Sequence, residues 1–339
     1  MQQAKIEFCE IREEIIIMTK LIKAVRPYIH PEYLNFKQHP YEVWKKLGGE
    51  VAQAHYPWRC LHGLAYRYEL PTLWKSNKEA RLRFVEPVSI SFDTFPDYAR
   101  YEIIPMIWDL WPKYYDKMFT WFKKHDVKTV IISSRTATDY IQGKFPDMNI
   151  MYCPEAVDTT LYGEGKQLQD RNIDILEFGR SNEKIIRVQE FENSKVQGKE
   201  IVHVATKKDG KFLYTNEQLY EVMGNAKIVI SLPRSMTDSE GTGGLETLTQ
   251  RYWENMLSRS IMLGHAPKEL IDIVGYNPVI EIEDYNPNNI QEQILNILAH
   301  IEDYQEMVDK NRKVALEKGD WTLRMKNVME WLRSLGYEA

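Results

Sequence analysis

From residue 84 onward, short aliphatic runs alternate with stretches of helical spacing, and this alternation happens twice. Runs such as 127–133 (VKTVIIS) and 227–232 (KIVISL) are short and rich in Ile and Val, which predicts strands buried on both faces. Buried strands separated by helices pair in parallel, because each parallel pair needs a crossover connection. Segments 84–92, 103–108, 127–133 and 149–153 give the strands of a first unit, and 173–178, 200–204, 227–232, 260–263 and 279–282 those of a second. Helices are predicted over 114–124, 134–141, 182–192, 216–223 (with Gly224 as C-cap), 246–257, most of 290–316, and 321–335. The polar stretch 154–171 reads as the linker between the units. Residues 10–25 have helical spacing, with Ile11, Ile15, Met18 and Ile22 on one side, and no strand is predicted before residue 84.

The length of 339 residues suits two domains. With 43% hydrophobic and 27% charged residues, the chain is neither disordered, collagen-like nor a disulfide scaffold. Cys9, Cys60 and Cys153 are odd in number and far apart, which suits a reducing cytoplasm and gives no metal pattern. No HExxH pair or Cys/His cluster is present, so no dedicated metal site is expected. No apolar run is long enough for a transmembrane helix, and the acidic N-terminus does not suit a signal peptide. The net charge of −5 divides unevenly: residues 1–152 carry 22 Lys+Arg against 18 Asp+Glu, and residues 153–339 carry 22 against 31. Nucleic-acid binding, which needs a positive surface, is not expected. The first part also holds Trp44, Trp58, Trp74, Trp108, Trp111 and Trp121. That richness suits either a surface for glycan, anionic lipid or membrane, or a core of large side chains.

Ligands of open parallel sheets bind beyond the carboxyl ends of the strands. Three groups of residues fall there. The first is the glycine-rich loop 239–244 with Gly241, Gly243 and Gly244, followed by a helix whose N-terminus favours an anion. The second is Gly179-Arg180 with Lys184 after the strand 173–178, two cations that suit a diphosphate. The third is Glu246 and Glu254, spaced E-x7-E; on one continuous helix they would stand ~12 Å apart along the axis. Each group has an ordinary structural reading as a turn, a solvated helix start or surface carboxylates.

Taken in order, these residues resemble the C-terminal domain of GT-B glycosyltransferases of the group 1, family 4-like type. The resemblance is carried by Ile175-Leu176-Glu177-Phe178-Gly179-Arg180 with Lys184, by Ile228-Val229-Ile230-Ser231 before the glycine loop, by Glu246 to Glu254, and by Pro154-Glu155-Ala156-Val157-Asp158. It covers about 103–335. It implies an α/β fold of two Rossmann-like domains facing a cleft, the N-terminal one reduced or atypical. The domains would be 1–153 on the acceptor side and 172–320 for the nucleotide sugar, with 321–339 a helix packing back toward the first.

The resemblance also implies roles. Gly179, Arg180 and Lys184, with backbone N–H groups from Gly243 and Gly244 to Thr247, would hold the diphosphate; Glu254 would accept from the ribose hydroxyls, and Glu246 would lie near the donor sugar. The family's catalytic histidine is replaced by Trp108, which leaves Asp109 as the candidate base or positioner, or His55 from an earlier loop. The implied activity is transfer of a hexose from a nucleotide diphosphate sugar to a hydroxyl of a glycan or lipid-linked acceptor, with retention, in surface polysaccharide synthesis. No cofactor beyond that donor and no metal is expected. Localisation would be cytoplasmic, with peripheral contact at the inner membrane face where the acceptor is lipid-carried. The rival readings are a sugar-nucleotide 2-epimerase, and an inactive protein that binds nucleotide sugars.

Overall fold

A computed structural model describes residues 19–27, 35–54, 63–64, 67–68, 75–177, 195–196, 198–208, 211–212 and 214–339. The helix expected over 182–192 lies outside the described residues. The strands form two principal sheets, both parallel throughout. In the first, β1 (Lys20–Arg26) pairs with β2 (Glu50–Gln53) on one side and β3 (Glu79–Val85) on the other. β4 (Glu102–Ile107), β5 (Thr129–Ile132) and β6 (Asn149–Tyr152) follow in order. In the second, β7 (Ile173–Glu177) lies between β8 (His203–Ala205) and β9 (Ala226–Ser231). β10 (Ile261–Gly264) and β11 (Ile280–Glu281) complete it. A last strand, β12 (Tyr337–Glu338), returns to the first sheet beside Lys20 and Leu21.

The helices that matter for the site are α1 (Asn35–Lys46), α2 (Tyr115–Lys124), α3 (Arg135–Lys144), α4 (Asn216–Gly224) and α5 (Gln250–Leu257). They are followed by α6 (Lys268–Val274), α7 (Pro287–Ala299), α8 (Gln305–Lys318) and α9 (Trp321–Ser334). The expected helix over 290–316 is two helices, parted by a 3-10 turn at Ile301–Tyr304. The helix expected to stop on Gly224 includes it and is capped by Asn225.

Two further corrections concern strands. Lys20–Arg26 is a strand and not the end of a helix. Its lysines are paired across the sheet: Lys23 Nζ lies 3.2 Å from both Glu50 and Glu79. The apolar Ile22 and Ala24 are fully buried. The strand expected over 84–92 ends at Val85; a turn follows, and Ile90–Thr94 is a short helix. Pro87, without an N–H, cannot extend the ladder.

The tryptophans of the first part are core where they are described. Trp44, Trp111 and Trp121 are buried to 2% exposure or less, and Trp108 to 6%. Trp58 and Trp74 lie outside the described residues. Of the two readings of the aromatic content, the packing one therefore accounts for these four. Trp321, Met325, Val328, Met329 and Leu332 of α9 join Trp44, Ile22, Leu82 and Ile104 in one hydrophobic cluster, so α9 packs on the first sheet.

Candidate functional site

The chain leaves β7 to one side to make β8 and returns to the other side to make β9. Such a reversal opens a crevice at the carboxyl ends of the strands. β9 ends there at Ser231, whose hydroxyl accepts a hydrogen bond from Asn255 of α5 at 3.0 Å. Gly264 passes so close that a Cβ on it would sit 2.0 Å from the Ser231 carbonyl oxygen. The two strands and α5 are thereby locked together below the loop.

The glycine loop is one place where the two halves touch. Asp238 caps the short turn Ser239–Thr242 by accepting from Gly241 N at 3.1 Å. Gly243 and Gly244 both have positive φ, +61° and +73°, which favours glycine. A Cβ at Gly243 would meet Pro112 Cγ at 3.1 Å. Leu245 is buried in the hydrophobic cluster of the first half with Ile107, Leu110 and Trp111. The N–H of Gly244 donates to Ser239 O at 3.0 Å. These glycines thus serve a tight turn and a close approach between halves.

Asp109 stands two residues past the end of β4, with a left-handed φ of 52°. Asp tolerates that region better than most residues. Arg234, from the loop after β9, reaches it across the cleft: Nη1 lies 3.9 Å from Asp109 Oδ2, and the guanidinium sits 5.4 Å above the Trp111 ring. Arg234 also holds Asp238 at 3.0 Å. Sequence reasoning passed over Arg234, although it stands three residues beyond the end of β9.

Glu246 and Glu254 do not share a helix. α5 begins at Gln250, and Glu246 lies in the extended segment before it. The N–H groups at this helix start are met from afar. Glu269 of α6 accepts from Leu248 N at 3.0 Å and also from Arg135 N, at the start of α3, at 2.6 Å. Tyr152 donates to the same carboxylate at 3.3 Å. Glu155, just past β6, accepts from Gln250 N at 3.2 Å. Glu155 therefore already takes up one N–H at the positive end of α5, and Glu269 takes up one just before it. Burial, aided by the negative charges of Asp109, Glu254 and Glu269, pushes the Glu155 carboxyl up to about 8.

Glu246 belongs to a chain of three groups. Its Oε1 accepts from Lys268 N at 3.0 Å, and its Oε2 lies 3.0 Å from His265 Nε2. His265 Nδ1 lies 2.8 Å from Glu281 Oε2. Burial alone would lower the His265 pKa, but the two carboxylates outweigh it and the net shift is upward. The sequence signal for this trio was its position: His265 and Glu281 stand at the ends of neighbouring strands, where Gly264 pairs with Glu281.

Glu254 lies one turn into α5 and lines a cavity of about 510 Å³ together with His39, Asp158, Tyr162, Tyr220 and Gln250. Tyr162 donates to its Oε1 at 3.0 Å, and burial raises its pKa. The Tyr162 and Tyr220 rings meet edge to face, 5.0 Å apart. Among the described residues that line this cavity are Glu42, Asp158, Glu217 and Glu254, and no Lys or Arg. Such a lining repels phosphate and accepts from hydroxyl and N–H donors.

Gly179, Arg180, Lys184 and His55 lie outside the described residues. Trp108 is packing: its ring stacks on Trp321 at 6.0 Å and meets Phe84 edge-on at 5.7 Å. His39, Asp158 and Asp320 bring three potential metal-ligand atoms within 4.8 Å of one another. Both carboxylates are engaged in capping, Asp158 to Thr160 N at 3.0 Å and Asp320 to Thr322 N at 2.7 Å. No helix among the described residues is long and apolar enough to cross a membrane.

No family model matches the chain, and no curated protein matches its sequence. Solved structures do match its fold. The Anabaena protein HepE, crystallised with UDP and glucose, superimposes with a TM-score of 0.57 at 11% identity, over 93% of this chain and 100% of that one. The sucrose-phosphate synthase of Thermosynechococcus elongatus gives 0.56 at 11% identity, over 93% and 99%. A glycosyltransferase from Rickettsia africae gives 0.52 at 10% identity, over 95% and 100%. At such identities the likeness shows the fold, and that fold is the two-sheet GT-B architecture.

Proposed function

We propose that this protein is a glycosyltransferase that moves a hexosyl group from a nucleotide diphosphate sugar to a hydroxyl of a growing glycan, free or lipid-linked. The observation that carries the reading is Glu254. It is a carboxylate with one oxygen on Tyr162, lining an acidic cavity at the crevice of the C-terminal sheet. HepE, of the same fold, was crystallised with UDP and glucose, which supports a nucleotide-sugar ligand here.

In this reading the nucleoside enters the cavity and a ribose hydroxyl donates to Glu254 Oε2. The diphosphate leaves the acidic cavity toward Arg180 and Lys184, which the sequence puts just beyond β7. The sugar extends toward Glu246 and the acceptor approaches from the side of Asp109. The bond between the anomeric carbon and the diphosphate oxygen breaks, the acceptor oxygen forms the new bond on the same face, and its proton passes to the departing diphosphate. Charge grows on that diphosphate, so fixed cations lower the barrier. Contact between the halves at Leu245 and Gly243 keeps water from the donor.

The test is product formation from UDP-glucose, GDP-mannose and dTDP-glucose, each with and without a panel of glycan acceptors. Release of nucleoside diphosphate that depends on acceptor supports the proposal. Turnover of a donor without acceptor, giving an epimeric nucleotide sugar, contradicts it.

A further inference from the structure

β10 and β11 lie side by side and end together, so His265 leaves the sheet next to Glu281. The ring stands between two carboxylates, 2.8 Å from Glu281 Oε2 through Nδ1 and 3.0 Å from Glu246 Oε2 through Nε2. Only the imidazolium has an N–H for each. A neutral ring must turn a lone pair toward one of them, and the two are not equally anchored. Glu281 also accepts from Ala266 N at 3.0 Å and from Asn277 Nδ2 at 2.9 Å. Glu246 has Lys268 N besides. The proton therefore stays on Nδ1 for Glu281, and Glu246 is the carboxylate that is released.

We propose that His265 is the positioning residue of Glu246: charged, it fixes that carboxylate at the mouth of the cleft, and neutral, it lets it go. The proposal deepens the glycosyltransferase reading and rests on it for what Glu246 faces. The side chains of His265, Glu246 and Glu281 are 37%, 30% and 41% exposed, so a ligand can reach them. Among the described residues, the other groups around the trio are few. The Tyr252 hydroxyl donates to the His265 carbonyl at 2.7 Å. Arg251 and Tyr285 act on that Tyr252 hydroxyl, and Glu281 acts on Tyr285. The Lys268 ammonium is tied to Asp272 at 2.9 Å. Loss of one proton from His265 is therefore the event that changes the hold on Glu246.

The experiment is ¹⁵N-histidine NMR of the whole protein between pH 5 and pH 9, with the His265 signals assigned from their loss in His265→Gln. The ring should titrate above the ordinary ~6.5. Glu246→Gln and Glu281→Gln should each lower its pKa, and the neutral ring should carry its proton on Nδ1. A ring that titrates at or below the ordinary value, or keeps its proton on Nε2 when neutral, overturns the proposal without any reference to donor.

The dissociation constant of the donor is then measured across the same pH range, using whichever of UDP-glucose, GDP-mannose and dTDP-glucose binds. Wild-type affinity should fall several-fold as His265 deprotonates, and His265→Gln, checked for an unchanged melting temperature, should bind more weakly with a flat profile. A flat wild-type profile beside the expected NMR overturns the positioning role. The expected NMR with no donor bound at any pH overturns the glycosyltransferase reading and leaves the ring's hold on Glu246 established.

Discussion

Glu155 makes a prediction about the stability of the whole protein. Its carboxyl ionises at about 8 in the folded chain and near ~4.3 when unfolded. Between those values the unfolded chain holds fewer protons, so stability falls as the pH rises. It is highest below the unfolded value and levels off once the pH passes the folded one. Glu155→Gln removes this dependence while keeping an acceptor for Gln250 N. The variant should gain melting temperature relative to wild type from pH 5 to pH 8, as read by calorimetry; parallel curves would contradict the account. A second residue prediction concerns Tyr162. Its hydroxyl donates to Glu254 at 3.0 Å, so Tyr162→Phe leaves that carboxylate short of a donor in a half-buried place. Removing a hydrogen bond of this kind costs ~1–3 kcal/mol. Denaturant unfolding should show a loss of that order, and no loss would mean that the carboxylate is held otherwise.

At the scale of elements, sequence patterns and structure agree where local chemistry decides. The run Ile228-Val229-Ile230 is buried to 7% exposure or less and makes the central strand β9. Ile103, Ile104, Met106 and Ile107 do the same for β4. Agreement fails where distant partners decide. The helical spacing of Ile11, Ile15, Met18 and Ile22 runs into β1, where the partners of Lys20 and Lys23, namely Glu102, Glu50 and Glu79, are on other strands. α5 starts four residues after Glu246, and Glu269 and Glu155, from distant segments, take up the N–H groups of Leu248 and Gln250. The candidate site was legible to the same degree: Glu254 and Asp109 fall at the cleft, whereas Arg234 and His265 act through residues that no single segment reveals. Gly264→Ala tests the packing of β9 against β10. Its Cβ would lie 2.0 Å from Ser231 O, with backbone rather than a flexible side chain in the way. Overpacking costs ~1–3 kcal/mol or more, so the variant should melt well below wild type; an unchanged melting temperature would contradict the close approach.

At the scale of the molecule, named side chains join the two halves. Leu245 inserts into the first half's core, Gly243 rests on Pro112, Arg234 reaches Asp109, and Glu269 caps α3 from α6. α9 adds a long apolar seam to the first sheet. Leu245→Ala should cost ~2–5 kcal/mol and loosen the contact, seen as faster hydrogen exchange at the start of α3 than in wild type. Unchanged exchange there would show that Leu245 does not hold the halves together.

In the proposed function, the acidic cavity at Glu254 receives the nucleoside of a nucleotide diphosphate sugar. Thermal melting of wild type and Glu254→Ala with UDP-, GDP- and dTDP-sugars tests it most directly. A ligand at 100 times its dissociation constant adds ~2.7 kcal/mol of stability. The account predicts a clear rise in melting temperature with at least one donor, and its loss or near loss in Glu254→Ala. No rise with any donor, or an equal rise in the variant, would contradict it.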